Sequence, residues 1–544
     1  MKRFLNFAGM VLLASCAGKP ASENVEVKRQ SATIEGVVRE LGTEVPIAGV
    51  SVFLVRTSNQ PQIRANTDSD GRFTLAGLDQ GRHLVALVRD GYVVPGRIEI
   101  SGFPFRVTTG QRISDVVFHL VPTGTISGRV IGPEGQPANR VEVQLLQNLY
   151  IMGRQQWSPV NRGGSGRQTR VETNARGEFR AIGVDPGQYL IRLVPQEATV
   201  DSLVPGGLSP SPILYPGVHD PAKAAMIEVK PGRETLLEDT RLLSENRKWI
   251  RIVVINESGE SLEDFGNWQV EPPGWMGSEY PFAYQRIVNN YKEIQPDLPG
   301  VYEITATWAT PKGPLAGRLR INYEGVDVNA RLAVPKPQSK LTGRVMLQQK
   351  EGVPPTPITG AEVSIGPDIP YFIRSNPEGA LNLPELYAGR YKLGAVRGLP
   401  ADTFVSRVAQ GSRDVLKEDL NVEKGEAVLD VVVSAGAGVL EGKVVDAGGK
   451  PAHNALVALI PESPLKDRVD YYGAYQSART DQNGEFDIHG ITPGSYQAYA
   501  WADAPAGGFR SEPFMKTFAG KGSPVKLEIG GSAKVDLKTL DSTP

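Results

Sequence analysis

A turn of the form Asp/Asn-x-x-Gly-x-(Phe/Leu), followed at a fixed distance by Gly-x-(Tyr/His), returns four times along this chain. A repeat of that kind calls for an array of small β domains and argues against one large enzyme fold. The first copy carries Thr67, Asp68, Gly71, Phe73, Gly77, Gly81 and His83, and the second Thr173, Asn174, Gly177, Phe179, Gly183, Gly187 and Tyr189. The third reads Ser375, Asn376, Gly379, Leu381, Leu386, Gly389 and Tyr391; the fourth reads Thr480, Asp481, Gly484, Phe486, Gly490, Gly494 and Tyr496. In each, the first glycine stands where a hairpin needs positive φ, and the Asp or Asn before it can bond its own backbone.

Each copy has a matching opening, a strand built around Gly-x-Val, then a proline and a second strand. The openings are Ile34 to Val38 with Pro46 and Val50-Ser51-Val52, Ile126 to Val130 with Pro137 and Val141-Glu142-Val143, Leu341 to Val345 with Pro357 and Ala361-Glu362-Val363, and Leu440 to Val444 with Pro451 and Ala455-Leu456-Val457. Their glycines lie 92, 215 and 99 residues apart, so the middle interval has room for a further domain. Residues 244–335 fill it, with apolar alternation from Trp249 to Val254 and the unit Leu298-Pro299-Gly300-Val301-Tyr302, but without the first turn. That domain is either a degenerate copy or a different sandwich. A glycine turn before one last strand closes the other four, at Gly110, Gly232, Gly425 and Gly531.

The expected fold is therefore all-β, a tandem array of about five β-sandwich domains. The expected divisions are 1–16 (signal peptide), 17–30 (polar tether), then sandwiches over 31–121, 122–243, 244–335, 336–434 and 435–544. The 60 Gly and 42 Pro among 544 residues fit short strands and many turns. Short linkers such as Pro122-Thr123-Gly124 and Ala435-Gly436-Ala437-Gly438 predict a semi-rigid chain.

The repeated unit resembles the carboxypeptidase regulatory-like domain. The resemblance implies an Ig/transthyretin-like sandwich of about seven strands, within a broader set of carbohydrate-binding-like folds. It covers four segments and, weakly, 244–335. The family takes its name from a non-catalytic module beside zinc carboxypeptidases, so peptidase activity is not implied. Copy three departs from the pattern, with Asn376-Pro377-Glu378 in its turn and Pro384-Glu385 in place of the usual glycine step.

The N-terminus reads Met1-Lys2-Arg3, an apolar run from Phe4 to Leu13, then Leu13-Ala14-Ser15-Cys16. This is a charged n-region, an h-region too short to stay in a bilayer, and a small-residue cleavage site. It resembles the bacterial lipoprotein signal, which implies lipidation at Cys16, a membrane contact through that anchor and, with Ala17 next, sorting to an outer membrane. Ordinary cleavage after Ala17 is the alternative. Cys16 is the only cysteine, so no internal disulfide forms. Without Lys2 and Arg3 the chain has 57 basic against 60 acidic residues, a balance that gives no electrostatic reason to expect nucleic acid.

Signatures of chemistry are sparse. His83, His119, His219, His453 and His489 have no metal-type spacing, and there is no Gly-x-Ser-x-Gly elbow. Asn66, Asp68 and Asp70 fall at positions one, three and five of a calcium loop, but Gly77 stands where the bidentate glutamate belongs, so a plain hairpin turn is expected. Neither a catalytic residue, a cofactor nor a metal is expected.

What differs between copies is the connection between the Val-x-Val strand and the Asx turn. It carries Tyr150 and Trp157 in the second domain, Tyr371 and Phe372 in the fourth, and Tyr471, Tyr472 and Tyr475 in the fifth; Trp268 and Trp275 occupy a comparable stretch of the third. Rings on polar loops suit sugars or extended peptides, so these are the candidate ligand-binding residues, for a polysaccharide or an envelope protein. Packing against a neighbouring domain is the competing role. Together the features point to a non-catalytic, exported, envelope-anchored multidomain binding protein; a structural spacer or adhesion rod, or an accessory subunit of an envelope hydrolase or peptidase, are the alternatives. A second insertion, Pro205 to Pro216 followed by Asp220-Pro221-Ala222, predicts an extended loop, one short helix and a lid on its own sandwich.

Overall fold

In the computed structural model the described residues are 31–541, apart from 56–61, 96–101, 152–153, 161–170, 196–207, 211, 247, 257, 263–265, 272–283, 289–290, 297–298, 311–312, 335–338, 351, 367–370, 387–388, 417, 463–474 and 506. Almost all regular structure is β, and the larger sheets fall into five successive face-to-face pairs. The opening strand of each pair is the pivot. Its two anchoring apolar residues, Ile34 and Val38, Ile126 and Val130, Ile250 and Val254, Leu341 and Val345, or Leu440 and Val444, are fully buried at 0% exposure. Period-two alternation places both on one face, and each such side chain removed from water contributes about 1.5–3 kcal/mol.

The same connectivity recurs. In the first sandwich the opening strand Ala32–Glu40 runs antiparallel to Arg72–Leu78 and parallel to the closing strand Arg112–Pro122. The second sheet is Arg64–Asn66, Ser51–Leu54, Gly81–Val88 and Phe103–Val107, in that order. The opening strands at Gly124–Ile131, Ser339–Gln348 and Gly438–Val445 have equivalent antiparallel and parallel neighbours. The motif glycine between the two anchors is explained by close approach. A Cβ on Gly36, Gly343 or Gly442 would lie 2.1, 2.0 or 1.9 Å from the carbonyl oxygen of Val116, Leu429 or Val535 on the closing strand, and one on Gly128 would meet the Phe179 ring at 2.9 Å.

The Asx turn joins the two sheets through the residue before it. Thr67 Oγ1 accepts from the Val50 amide at 2.9 Å and donates to the Ile47 carbonyl at 2.7 Å. Asp68 Oδ1 then accepts from the amides of Asp70 and Arg72 at 2.9 and 2.8 Å. The other copies repeat this with Thr173 and Asn174, Ser375 and Asn376, and Thr480 and Asp481. All four hydroxyl residues are buried. Gly71, at φ +71°, sends its carbonyl to the Val38 amide, and a Cβ there would stand 2.5 Å from the Val38 oxygen. A side chain at this position is excluded by both conformation and space.

Downstream, the Gly-x-Tyr residue reaches back four positions. Tyr189 and Tyr496 donate to the carbonyls of Asp185 and Thr492 at 2.8 and 2.5 Å, and the His83 ring makes the same contact with Asp79 at 2.8 Å. Burial pushes the Tyr496 phenol up to about 12. Tyr302 in the third sandwich is likewise buried, which marks the strand Gly300–Thr310 as the counterpart of the Gly-x-Tyr strand.

That third pair shares the connectivity: Ile250–Ile255 is antiparallel to Tyr291–Gln295 and parallel to Val328–Ala333, facing a sheet of Asn267–Glu271, Gly300–Thr310 and Gly313–Tyr323. Its Asx turn sits elsewhere, just after the opening strand, where Asn256 Oδ1 accepts from the Glu260 amide at 2.9 Å. The fifth sandwich has a turn at that same place, Asp446 to Lys450, in addition to its later one.

The connection expected to be a loop carries structure of its own. Arg64–Asn66, Arg154–Pro159, Tyr371–Arg374 and Gln476–Arg479 are strands, each paired antiparallel to the second strand of its domain. The insertion after the second repeat folds as a cover: Leu208–Pro210 pairs with Ser244–Asn246, Asp220 caps a 3-10 turn at Pro221–Lys223, and Leu214 packs with Leu146 and Leu190. Linkers are tied down as well, the amides of Gly436 and Ala437 both donating to Asp402.

The buried hydroxyl gives a direct test. Thr67→Val keeps the shape but leaves the Val50 amide and Ile47 carbonyl without their partner, at a cost of about 2–4 kcal/mol, while Thr67→Ser, mimicking Ser375, costs far less. Hydrogen exchange along Ala32–Glu40 should show the first sandwich opening more readily in the valine variant alone.

Candidate functional site

The aromatic candidates divide by what covers them. Trp157, on the hairpin Val141–Ile151 with Arg154–Pro159, lies half-buried on the outer sheet face, packed on Leu146, Leu190 and Leu214 beneath the insertion. Tyr150, near the tip of that hairpin, packs against the fifth sandwich, its ring 5.7 Å from Phe514 in an edge contact. Trp268 joins the core of the third sandwich, with the Lys292 ammonium 5.9 Å from its ring centroid; burial holds that ammonium below its ordinary pKa. Tyr475 is buried among Trp501, Phe514 and Phe518. Phe372 is 58% exposed on the edge strand Tyr371–Arg374, opposite Ser364 and two residues from the Arg374–Glu362 ion pair. Tyr371 shares that strand. Cys16, Trp275, Tyr471 and Tyr472 lie outside the described residues.

Phe372 is thus the candidate ring offering an open flat face with charged groups beside it. Tyr150, Trp157, Trp268 and Tyr475 fill space between elements, Trp157 because the insertion comes back over it and Tyr150 and Tyr475 because the helix Glu512–Lys516 does.

The histidines are dispersed. His83 and His119 bond Asp79 and Glu44, His453 lies against the Pro104 carbonyl and the rings of Phe103 and Phe105, and His489 lies 3.1 Å from Asp487. Among the described residues no three His, Cys, Asp or Glu side chains stand close enough to share a metal ion. Asp68, the centre of the calcium-loop pattern, has Oδ1 committed to two backbone amides. No helix of the described residues is long and apolar enough to cross a membrane.

A cluster that sequence reasoning missed lies between the first and fifth sandwiches. The side-chain amide of Gln482 pairs with the backbone of Arg106 in both directions, accepting from its amide at 3.0 Å and donating to its carbonyl at 2.9 Å. Asp487 receives Arg106 in an ion pair, with Arg82 at 3.6 Å, and Arg82 also donates to the Arg479 carbonyl at 3.2 Å. The one sequence signal is position 482 itself: the other Asx turns place Ser69, Ala175 and Pro377 there, none with a long side-chain amide.

Asp481 follows from that location. It is 4% exposed, and its Oδ2 is buried without a hydrogen-bond partner. Burial pushes its carboxyl above the ordinary range, against the pull of the Asn483 and Glu485 amides, and the nearby Glu485 charge pushes the same way as burial.

Residues 33–115 match the family model described as carboxypeptidase regulatory-like domain. Among curated proteins none matches the chain. Solved structures with similarity include the minor pilin GBS52 of Streptococcus agalactiae, at 13% identity over 39% of this chain and 97% of that one, with a TM-score of 0.23. The major pilin subunit BcpA of Bacillus cereus aligns at 9% identity over 93% and 99% of the two chains, with a TM-score of 0.15. The shaft pilin SpaA of Lactobacillus rhamnosus GG aligns at 11% over 40% and 98%, with a TM-score of 0.19. At these scores the superpositions carry no weight for function or for the arrangement of the sandwiches. The first sandwich is therefore of the carboxypeptidase regulatory-like type, and the same turn chemistry recurs in the second, fourth and fifth.

Asp481→Asn tests the buried carboxyl. Asparagine keeps both Oδ1 bonds and brings an amide that can reach Glu485, as Asn174 reaches Glu178 at 3.2 Å. An acid whose pKa is raised on folding costs stability above that raised value; the cost shrinks as pH falls through it and is gone below the unfolded value. The variant should therefore melt higher than the parent at neutral pH, the difference closing toward about pH 4. Thermal melts at the two pH values check this, and a variant that melts lower at pH 7 contradicts it.

Proposed function

We propose that this protein is a non-catalytic, exported scaffold of the cell envelope, held to a membrane by a lipid on Cys16 and presenting a binding surface on its sandwiches. One observation carries the reading. The polar residues that recur, Thr67, Asp68 and their counterparts, are spent on backbone groups of their own sandwich, so the repeated chemistry serves architecture and the differences between copies collect at edges and connections. A scaffold reading accounts for that pattern, whereas an enzyme calls for a set of reactive groups converging on one place.

The anchor reading rests on the sequence of the leader, Leu13-Ala14-Ser15-Cys16, with a polar stretch after it. Cells expressing the full chain and fed an alkyne fatty acid should incorporate label into the protein, and Cys16→Ala should abolish the label and release the protein from the membrane fraction. Label retained on the alanine variant would overturn the anchor.

For the binding surface, Phe372 beside Arg374 and Glu362 fits the chemistry of a sugar ring, an apolar face rimmed by hydrogen-bonding groups. A polysaccharide pull-down with the mature protein should show retention that falls at least about tenfold in Phe372→Ala, a loss of about 1.4 kcal/mol. Equal retention of the two proteins would remove carbohydrate from the reading and leave a structural or adhesive array.

A further inference from the structure

From the contacts between its ends we infer that the chain carries a releasable clasp: the fifth sandwich docks on the first, and undocking converts a folded-back body into an extended array. The clasp is a lock between two surfaces of different kinds. The first sandwich offers the edge strand Phe103–Val107, the last strand of its second sheet, together with Arg82 and Arg106. The fifth offers the Asx turn, with Gln482 at its tip and Asp487 on the strand that follows.

Gln482 acts as a one-residue strand. An edge strand presents unpaired amides and carbonyls, and the two bonds from the Gln482 side chain satisfy both backbone groups of Arg106, as a neighbouring strand would. Asp487 fixes the register: one oxygen receives Arg106 and Arg82 from the first sandwich, and the other faces His489 of its own. Beside them the His453 ring lies edge-on to Phe105, centroids 4.9 Å apart. A second point of attachment comes from the second sandwich, whose Tyr150 reaches Phe514.

The composition of this interface makes it reversible. Arg82 and Arg106 keep 41% and 52% of their side chains exposed, so salt screens their pairing with Asp487. Both partners belong to one chain, so a high effective concentration supports the contact. Interfaces held by exposed charges open and close, while permanent ones are larger and more hydrophobic; the apolar contacts here include His453 on Phe105 and Tyr150 on Phe514. The inference does not depend on the lipid anchor or on any ligand.

Asp487→Arg sets a third positive charge against Arg82 and Arg106 and should release the clasp. Small-angle scattering of the mature chain should then give a larger radius of gyration and maximum dimension than the parent, and hydrogen exchange over Phe103–Val107 should speed up about tenfold. Exchange over Leu456–Pro461, in the core of the fifth sandwich, should stay as slow as in the parent and so separate undocking from unfolding. The charge swap Arg106→Glu with Asp487→Arg should restore compactness. A single variant as compact and as protected as the parent would overturn the clasp, as would a double variant that stays as open as the single one while the Leu456–Pro461 core remains protected.

Discussion

Two hydrogen bonds from one buried hydroxyl hold together the places where the chain crosses from one sheet to the other. In the first sandwich Thr67 ties the return crossing, just before Asp68, to the outward crossing at Ile47 and Val50. Val38 completes the knot, accepting from the Ile47 amide and donating to the Gly71 carbonyl. Val130, Val345 and Val444 stand in the same relation to Ala138 and Gly177, Ile358 and Gly379, and Ala452 and Gly484. Face-to-face sheets have no hydrogen bonds between them, so their relative position is otherwise left to side-chain packing. A polar knot at one end fixes it, and because every donor and acceptor in the knot is satisfied, burying them costs little.

In the third sandwich the described residues keep the backbone half of the knot. Leu262 donates to Val254, as Ile47 does to Val38, and an Asx turn among the described residues stands at Asn256. There the hairpin Tyr284–Val288 with Tyr291–Gln295 lies beside the opening strand, and Arg251 pairs with Glu293 at 2.8 Å across neighbouring strands. Its core buries Trp308, Tyr302 and Tyr323 together.

Much of this was legible in the residues. Gly36, Gly343 and Gly442 mark a backbone approach that any side chain would block, and Gly71 with Asp68 marks a turn, because glycine and Asx residues are demanded by local geometry. The hydroxyl at Thr67 was visible as part of the repeat, but its role was not, since it depends on how two distant crossings meet. The aromatic residues were harder still. Whether Trp157 or Tyr475 faces solvent depends on a segment that returns from elsewhere in the chain, the insertion around Leu214 or the helix with Phe514, and composition does not encode that return. Position 482 was the hidden signal: a long amide at the tip of a turn whose counterparts are short or cyclic.

An array of sandwiches has a problem that a single one does not, because each sheet exposes edges near the edges of its neighbours. Free edges invite pairing in unplanned registers. On Phe103–Val107 this chain uses two protections at once, a charged residue, Arg106, on the strand and a side-chain amide, Gln482, that occupies the backbone groups. A bonded strand from the fifth sandwich would have merged two sheets into one continuous body. A single glutamine gives the edge its partner without that merger, so the two sandwiches meet and keep separate cores. Contact between the chain's ends and the protection of an edge are thereby the same physical event, and a device built for one serves the other.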